Sequence, residues 1–341
     1  YLATAGGSVG IGTTSPGSTL SVAGAGYFAG NLNLDSFSSY QLAGQTVLSA
    51  TSTTGNTLVG LFAGENIVSI SVAATSGISN TALGYEALRY ATSTDQNTAV
   101  GYQALRMGSS GSGDNSGSRN TAVGYMALAI NTTGANNVAF GQGALAANTT
   151  ASDNVAIGRE ALTNNNSSGN VGIGWRAMNT NISGINNVSV GFQSLSANVT
   201  GNNNASIGYR ALSGNITGSA NVGIGYFSLS SNSSATSTVA VGYQAAIGTA
   251  AYNNQGGVYL GFNSGYSAAT DSDYNTLVGY QSGYGVTTGA RNVFIGNSTI
   301  AASYNQVTTG SNNISIGNDV ALSSATASNQ LNIGNLIYGT G

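Results

Sequence analysis

The sequence predicts an all-β fold, a parallel β-solenoid of about sixteen stacked coils. Two observations predict it: a five-residue unit recurs at a nearly constant interval, and a polar, turn-rich stretch separates successive units. A third observation is the composition. Hydrophobic residues make up 41% of the 341 residues and the net charge is only −3, so the chain has enough apolar residues to bury a core.

The recurring unit is Asn, a β-branched residue, a small residue, an aliphatic residue and Gly, as in Asn97 to Gly101. Nine of the fifteen intervals between its glycines are 17 residues. Seventeen residues cannot bury a core alone, whereas identical stacked coils can. The sixteen glycines are Gly60, Gly84, Gly101, Gly124, Gly141, Gly158, Gly174, Gly191, Gly208, Gly225, Gly242, Gly261, Gly279, Gly296, Gly317 and Gly334.

A second block follows each glycine, often an aromatic residue, a polar residue, Ala or Ser, and Leu, as in Tyr102 to Leu105. We therefore expect each coil to contain a short strand, a glycine corner, a second short segment and a polar return loop. Glycine suits the corner because it adopts backbone angles that a β-carbon disfavours.

Strand alternation predicts that both aliphatic positions point into the coil and that the small residue between them points outward. A small outward residue would allow another backbone to approach, which favours a parallel homotrimer; the alternative is a lone solenoid. On this interpretation Ala139→Arg would abolish assembly. The predicted subunit-contact residues are Ala99, Ala122, Ala139, Ala156, Gly172 and Gly223.

Asn begins thirteen of the sixteen units. Stacking would place these side chains one strand spacing apart, about 4.8 Å, where their amides can form a hydrogen-bonded ladder. Further along each coil, Asn-X-Thr triplets such as those at Asn131, Asn148 and Asn215 also match glycosylation acceptors.

Ten units carry an aromatic residue directly after the glycine, and stacking would align these rings in a stripe. The stripe could bind the apolar faces of sugars, or it could be a packing ladder that seals the corner or a subunit seam. The residues are Tyr85, Tyr102, Tyr125, Trp175, Phe192, Tyr209, Tyr226, Tyr243, Phe262 and Tyr280.

Missing residue types exclude several chemistries. There is no His and no Cys, and all seven basic residues are Arg. Thiolate and imidazole catalysis and the usual zinc sites are therefore excluded, and no basic footprint for nucleic acid is present. No apolar run approaches the ~20 residues of a membrane span. We expect no catalytic, cofactor-binding or metal-binding residues, and no enzyme.

The unit from Asn97 to Leu105, Asn-Thr-Ala-Val-Gly-Tyr-Gln-Ala-Leu, resembles the head repeats of trimeric autotransporter adhesins. It resembles the related repeats of phage tail-fibre-like proteins still more closely. The resemblance covers about residues 56–338 and implies a left-handed β-roll assembled as a trimer. The repeats here are longer than the adhesin pattern, so adhesin ligands are not carried over.

Two flanking segments point toward the tail-fibre branch. Ser8 to Pro16 and Leu20 to Val22 resemble the connector of fibres that end in an endosialidase-type intramolecular chaperone. Asn329 to Asn335 is similar to the segment that precedes such a chaperone, which cleaves itself away after assembly. A mature chain that stops at Gly341 would fit this processing, and so would a truncation.

The predicted organisation has three parts: residues 1–55 as an N-terminal cap or connector, residues 56–338 as the solenoid, and residues 339–341 as a tail. Long intervals between glycines predict insertion loops around residues 64–79, 107–119 and 298–312. Such loops bind partners in some solenoids and are merely tolerated in others.

These features favour a non-catalytic extracellular fibre or filament shaft, on a cell surface or a virion, that gives reach and rigidity for attachment. The alternative is a receptor-binding module, a tail fibre or adhesin, that recognises a surface glycan or protein. The expected partner is the chain itself, as a trimer or an end-to-end filament.

The register can be checked at two pairs of side chains. Glu160 and Arg176 both lie two residues after their glycines, so stacking predicts that they pair on adjacent coils. One position earlier, the guanidinium of Arg159 is expected over the ring of Trp175.

Overall fold

The computed structural model describes residues 55–67, 77–107, 116–248, 252–297, 307–334 and 336–340, together with the backbone of the strands that precede residue 55. The chain divides into two compact units, Tyr1–Ser38 and Ser39–Gly341. The division falls within the segment 1–55. Among the described residues, all regular structure is β-strand.

The first unit is a three-stranded sheet. Strand β1 (Leu2–Ala5) pairs antiparallel with β2 (Ser8–Ile11), and β2 pairs parallel with β3 (Leu20–Val22). The connector-like segment thus contributes strands, while its residues 12–19 lie outside the described residues.

The second unit contains sixteen parallel strands, β6 to β21, each paired in register with the next. This ladder confirms the predicted parallel β-solenoid. The strands are β6 (Thr57–Val59), β7 (Thr81–Leu83), β8 (Thr98–Val100), β9 (Thr121–Val123), β10 (Val138–Phe140), β11 (Val155–Ile157), β12 (Val171–Ile173), β13 (Val188–Val190), β14 (Ala205–Ile207), β15 (Val222–Ile224), β16 (Val239–Val241), β17 (Val258–Leu260), β18 (Thr276–Val278), β19 (Val293–Ile295), β20 (Ile314–Ile316) and β21 (Gln330–Ile333).

Antiparallel strands cover both ends of this ladder. At one end β4 (Ser39–Leu42) pairs with β5 (Gln45–Ala50), and β5 pairs with β6. At the other end β22 (Ile337–Thr340) pairs with β21, so the predicted tail begins within a strand. The edges of the outermost parallel strands are thereby already hydrogen-bonded.

The predicted glycine corner is confirmed. Fifteen of the sixteen unit glycines, from Gly60 to Gly317, have φ between 124° and 141°, and only Gly334 differs, at 56°. A β-carbon on Gly101 would lie 2.6 Å from the carbonyl oxygen of Gly124 on the next coil. Both the backbone angle and the close stacking of coils therefore require glycine.

The second segment is a turn rather than a strand. The residues two and four positions after the corner glycine adopt left-handed angles, as at Gln103 (φ 54°) and Leu105 (φ 47°). Their backbone N–H groups donate to neighbouring coils, to Tyr85 O and Ala127 O, both at 2.9 Å. These inter-coil bonds hold the residues in a conformation that costs roughly 1–2 kcal/mol each.

The predicted faces are reversed. In β10 the small residue Ala139 is completely buried, while Val138 and Phe140 are 36% and 55% exposed. The interior has no room for two aliphatic residues per coil because a leucine of the turn already fills it. A β-carbon on Gly172, for example, would lie 2.9 Å from Cγ of Leu162.

The prediction of subunit contacts through the small residues is therefore wrong. All six side-chain positions are buried inside the coil of a single chain, where no second chain can reach them. An Arg at position 139 would disrupt the coil itself before it affected any assembly. The six residues are Ala99, Ala122, Ala139, Ala156, Gly172 and Gly223.

The predicted Asn ladder is confirmed as a buried structural feature. Oδ1 of Asn120 accepts the backbone N–H of Asn137 at 2.9 Å, and Oδ1 of Asn137 accepts that of Asn154 at 3.0 Å. The Nδ2 group of Asn137 donates across the coil to the carbonyl of Ala151 at 2.9 Å. Each side chain thus ties its strand to the next coil and to the return loop.

A second Asn ladder runs beside the first and was not predicted. Nδ2 of Asn148 donates to Oδ1 of Asn131 at 2.8 Å and to the carbonyl of Ala151 at 3.0 Å, so both ladders converge on one carbonyl. Asn131, Asn148 and Asn215 are fully buried in this ladder. These Asn-X-Thr triplets are therefore structural, and the folded chain does not present them for glycosylation.

Most of the predicted insertion loops lie outside the described residues. These are residues 68–76, 108–115 and 298–306, while the flanking residues belong to the coils. Asn335 in the C-terminal segment lies outside them as well.

Candidate interaction surface

The most extensive functional candidate is the outward side of the parallel sheet. The first and third residues of the strands point outward, and the aromatic position lies just beyond the corner glycine. We call these three columns, over β6 to β20, the apolar face. Its outward strand residues are β-branched or aliphatic apart from Phe140, and Ile157, Val188 and Ile207 are among the exposed ones.

The predicted aromatic stripe is confirmed, in two runs. Tyr85, Tyr102 and Tyr125 stack with ring centroids 5.3 Å apart. A second run of seven rings extends from Trp175 to Tyr280, with centroids 4.5–5.2 Å apart. All of these rings are exposed except Trp175, which is half-buried.

The stacking decides what the rings can contact. In the second run, every pair of neighbouring rings from Phe192 to Tyr280 has planes only 4–13° from parallel. Each of these ring faces therefore lies against another ring. Sugars bind aromatic residues through the ring face, which is open only at the ends of a run. The geometry therefore favours the packing interpretation, with ring edges directed outward.

Two coils interrupt the stripe with polar side chains. Gln142 and Arg159 occupy the aromatic position between Tyr125 and Trp175. Both are exposed, and the side chain of Arg159 is 59% accessible. Phe140, the bulkiest outward strand residue, lies in the first of these coils.

The predicted pair Glu160–Arg176 is confirmed. Nε of Arg176 lies 2.5 Å from Oε2 of Glu160. This hydrogen bond lowers the pKa of Glu160, and the charges of Arg176 and Arg159 lower it further against the opposing effect of desolvation. The neighbouring prediction is wrong: the guanidinium over the ring of Trp175, at 4.8 Å, belongs to Arg176, and Arg159 instead contacts Glu160 at 3.1 Å.

A second charged cluster lies near the first coils. The buried carboxylate of Glu86 accepts a 2.7 Å hydrogen bond from Gln103 and pairs with Arg89, which also contacts Glu65 at 2.7 Å. Burial alone would raise the pKa of Glu86, but the hydrogen bonds from Gln103 and Arg89 outweigh it and the pKa is lowered. The guanidinium of Arg89 also lies 4.5 Å from the ring centroid of Phe62. The cluster is internally paired and acts as a clamp between coils.

No reactive constellation accompanies these surfaces in the described part of the chain. There, no group of three or more His, Cys, Asp or Glu residues could hold a metal ion. The described residues also contain no helix long and apolar enough to cross a membrane.

The outward aliphatic residues were missed because their β-branched pattern resembles a core. A signal was present in the sequence: Leu58, Tyr259 and Leu277 replace the small strand residue where Gly64, Gly265 and Gly283 replace the turn leucine. Two positions that exchange size in this way share one interior. No family model, curated protein or solved structure matches this chain.

Proposed function

We propose that this chain is a non-catalytic shaft of an extracellular fibre, assembled as a parallel homotrimer through the apolar face. One observation carries the proposal: in the described part of the chain, three columns of mostly apolar side chains run along fifteen consecutive coils, each side chain exposed or half-buried. Soluble monomers rarely expose contiguous apolar patches larger than a few hundred Å².

The size of the face fits an interface. Fifteen strands at about 4.8 Å spacing span about 65 Å, and the three columns are about 13 Å wide. The resulting area is on the order of 850 Å² per chain, about what one partner contributes to a stable two-chain interface, ~800 Å². In a trimer this area would be divided between two neighbours. The number of three chains and a left-handed coil remain what the family resemblance implies.

The internal bonding supports a stiff element. Successive coils are joined by strand pairing, by hydrogen bonds through the turn and, in most coils, by buried Asn side chains. The chain's one Pro lies outside the repeats. Continuous bonding of this kind suits a shaft whose role is reach and rigidity.

The covered ends support a shaft of finite length. Because β5 and β22 already occupy the edges of β6 and β21, another copy cannot extend the parallel ladder at those edges. This favours a fibre segment over a filament that grows by end-to-end strand pairing.

Receptor binding by a glycan or protein is the alternative function. The buried ring faces argue against the stripe as a sugar platform, so a recognition role would depend on other parts of the chain. Binding of the shaft to a panel of surface glycans, with an affinity that survives loss of the stripe, would favour this alternative.

The assembly is tested by comparing two exposed isoleucines. Ile207→Glu places a charge on the apolar face, whereas Ile182→Glu makes the same change in a return loop. Native mass spectrometry should show trimers for the unchanged chain and for Ile182→Glu, and monomers for Ile207→Glu, because a buried unpaired charge is strongly unfavourable. A monomeric unchanged chain would overturn the proposed assembly.

A further inference from the structure

The apolar face has little intrinsic register. Outward residues are similar from coil to coil, as at Val190, Ile207 and Ile224. If one chain slid along another by one coil, about 4.8 Å, nearly all apolar contacts would be re-formed. A uniform face of this kind would permit a mixture of staggered assemblies.

The two coils that interrupt the aromatic stripe break this uniformity. Gln142 and Arg159 replace rings there, and Phe140 adds the bulkiest outward strand side chain. Arg159, Glu160 and Arg176 concentrate three of the chain's few charges in two adjacent coils, those of Gly158 and Gly174. The described coils have no second break of this composition on the apolar face.

We propose that these two coils form a register key that aligns neighbouring copies of the chain along the fibre. The inference rests on the proposed homotrimer and names how that interface selects one axial alignment. In register, the charged coils of all copies lie at one height, where Glu160 can pair with the arginines of its own and of the adjacent chain. A one-coil slip brings Arg159 of one chain to the level of Gln142 and Arg159 of the other chain to the level of the ring of Trp175, where its charge is desolvated without a new partner.

The physical logic is that of a polar residue within an apolar seam. Such a residue slightly lowers the stability of the correctly aligned assembly and lowers that of misaligned assemblies much more, so the correct alignment is selected. The shapes at this level add a steric cost to slipped assemblies. In register, Tyr125 and Trp175 each meet the same ring of the other chain, whereas a ring of a slipped chain meets Phe140 or a polar side chain.

The experiment uses the absence of cysteine in the chain. Single variants Val188→Cys, Val190→Cys and Phe192→Cys first identify the column that meets its own copy, by disulfide formation on oxidation. For that column, chains with a Cys in the coil of β13 are co-assembled with chains that have the Cys one coil later. An example is Val190→Cys with Ile207→Cys, since positions 190 and 207 are register partners in β13 and β14. Same-number disulfides report the aligned assembly, and mixed 190–207 disulfides report a slip.

The key is then removed by Gln142→Tyr with Arg159→Tyr, which completes the aromatic stripe. The matched control is Asn297→Tyr with Asn318→Tyr, which adds two rings at the same column position and leaves the key in place. We expect the fraction of mixed disulfides to rise about tenfold or more in the first variant, because each tenfold change in the equilibrium between aligned and slipped assemblies corresponds to about 1.4 kcal/mol of lost preference. The fraction should stay unchanged in the control.

Each outcome decides one question. Mixed disulfides that are abundant already in the unchanged chain, or that do not rise when the key is removed, overturn the register key. A monomer by native mass spectrometry, with no disulfides in any column, overturns the proposed trimer instead. A trimer of the key-less variant with native circular dichroism excludes misfolding as the cause of a slip.

Discussion

Two regions of the solenoid build the same coil from different interiors. In the coils of Gly84 to Gly225 the strand contributes Ala, Gly or Ser to the interior and the turn contributes Leu or Met. In the coils of Gly261 and Gly279 the strand contributes Tyr259 or Leu277, and the turn contributes Gly. The strands pair in unbroken register through both regions.

Tyr259 replaces two residues of a regular coil at once. Its ring lies where the turn leucine would be, since a β-carbon on Gly265 would lie 2.3 Å from the ring. The same ring fills the place of the missing ladder Asn, because a β-carbon on Gly257 would lie 2.4 Å from it. Its hydroxyl donates to the carbonyl of Ser272 at 3.3 Å, as a ladder amide donates across a regular coil.

The coil between the two regions uses a third arrangement. Ala240 and Ala246 are both small, and Tyr252 from the return loop is buried there, with its hydroxyl donating to the carbonyl of Ala246. The corner and the register therefore tolerate an exchanged interior if volume and buried hydrogen bonds are conserved. Cores tolerate such exchanges when total volume is kept.

The largest expected effect tests what both regions share, the glycine corner. Gly208→Ala and Gly279→Ala would each place a β-carbon within 2.5 Å of a carbonyl oxygen on the next coil, at a φ near 130°. We expect both to lower the free energy of unfolding by more than about 4 kcal/mol, in the exceptional range for one substitution. Circular dichroism during denaturation measures it.

Gly334→Ala is the control for the corner. Gly334 has a φ of 56°, and a β-carbon added to it would meet no atom within 4 Å, so only the left-handed cost of about 1–2 kcal/mol applies. Equal losses of unfolding free energy in Gly334→Ala and Gly208→Ala would show that close stacking of the coils is not what requires glycine at the corner.

A swap of interior volume tests the difference between the regions. Leu162→Gly should cost about 3–5 kcal/mol through the cavity it leaves, and Gly172→Leu about 1–3 kcal/mol through overpacking. The double variant reproduces the natural pair of Gly265 and Leu277. It should be more stable than the sum of the single losses by at least about 1 kcal/mol, because the two sites are in contact.

Denaturant unfolding followed by the fluorescence of Trp175, the chain's one Trp, reports on this site directly, since that residue lies in the coil of Gly172, next to the coil of Leu162. Strictly additive losses would contradict the shared interior. They would leave the exchange of sizes between the two regions without a packing explanation.

Alkaline pH should distinguish the second region and the coil that precedes it from the first region. Burial raises the pKa of Tyr252 well above its usual range and also raises the pKa of Tyr259. The neutral rings therefore stabilise the fold fully below the unfolded pKa of about 10. Above it, the unfolded chain loses protons first, and stability falls as pH rises through the folded pKa values.

The measurement is an alkaline titration followed by circular dichroism and tyrosine absorbance. Tyr252→Phe should move the unfolding midpoint to higher pH, because one buried group no longer ionises. Tyr226→Phe, at an exposed ring of the stripe, is the control and should leave the midpoint in place. Equal shifts in both variants would contradict a role for the buried hydroxyl.

The repeat made much of the fold predictable. Stacked coils, parallel register, glycine corners and the Asn ladder follow from local patterns that recur in all or most units, and the register even placed Glu160 beside Arg176. The stripe followed for the same reason. Periodicity reports which residues are equivalent, and equivalent residues stack.

The orientation of the strand was not predictable from alternation alone. Alternation separates Val138 and Phe140 from Ala139, but it does not say which set is inside. That choice depends on the turn leucine, which reaches the interior only because residues such as Leu145 adopt left-handed angles that are rare for leucine.

The smallest expected effect concerns these left-handed positions. Ala220 is exposed with a φ of 57°, and three other coils use glycine at its equivalent, Gly55, Gly169 and Gly256. Ala220→Gly should therefore raise the free energy of unfolding by about 0.5–1 kcal/mol, since the strain of a left-handed alanine is removed. Ala197→Gly, at a turn residue outside the left-handed region, should lower it by a similar amount through the unfolded-state entropy of glycine. Thermal melts of both variants give the two signs, and a loss in both would show that the stack holds Ala220 without strain.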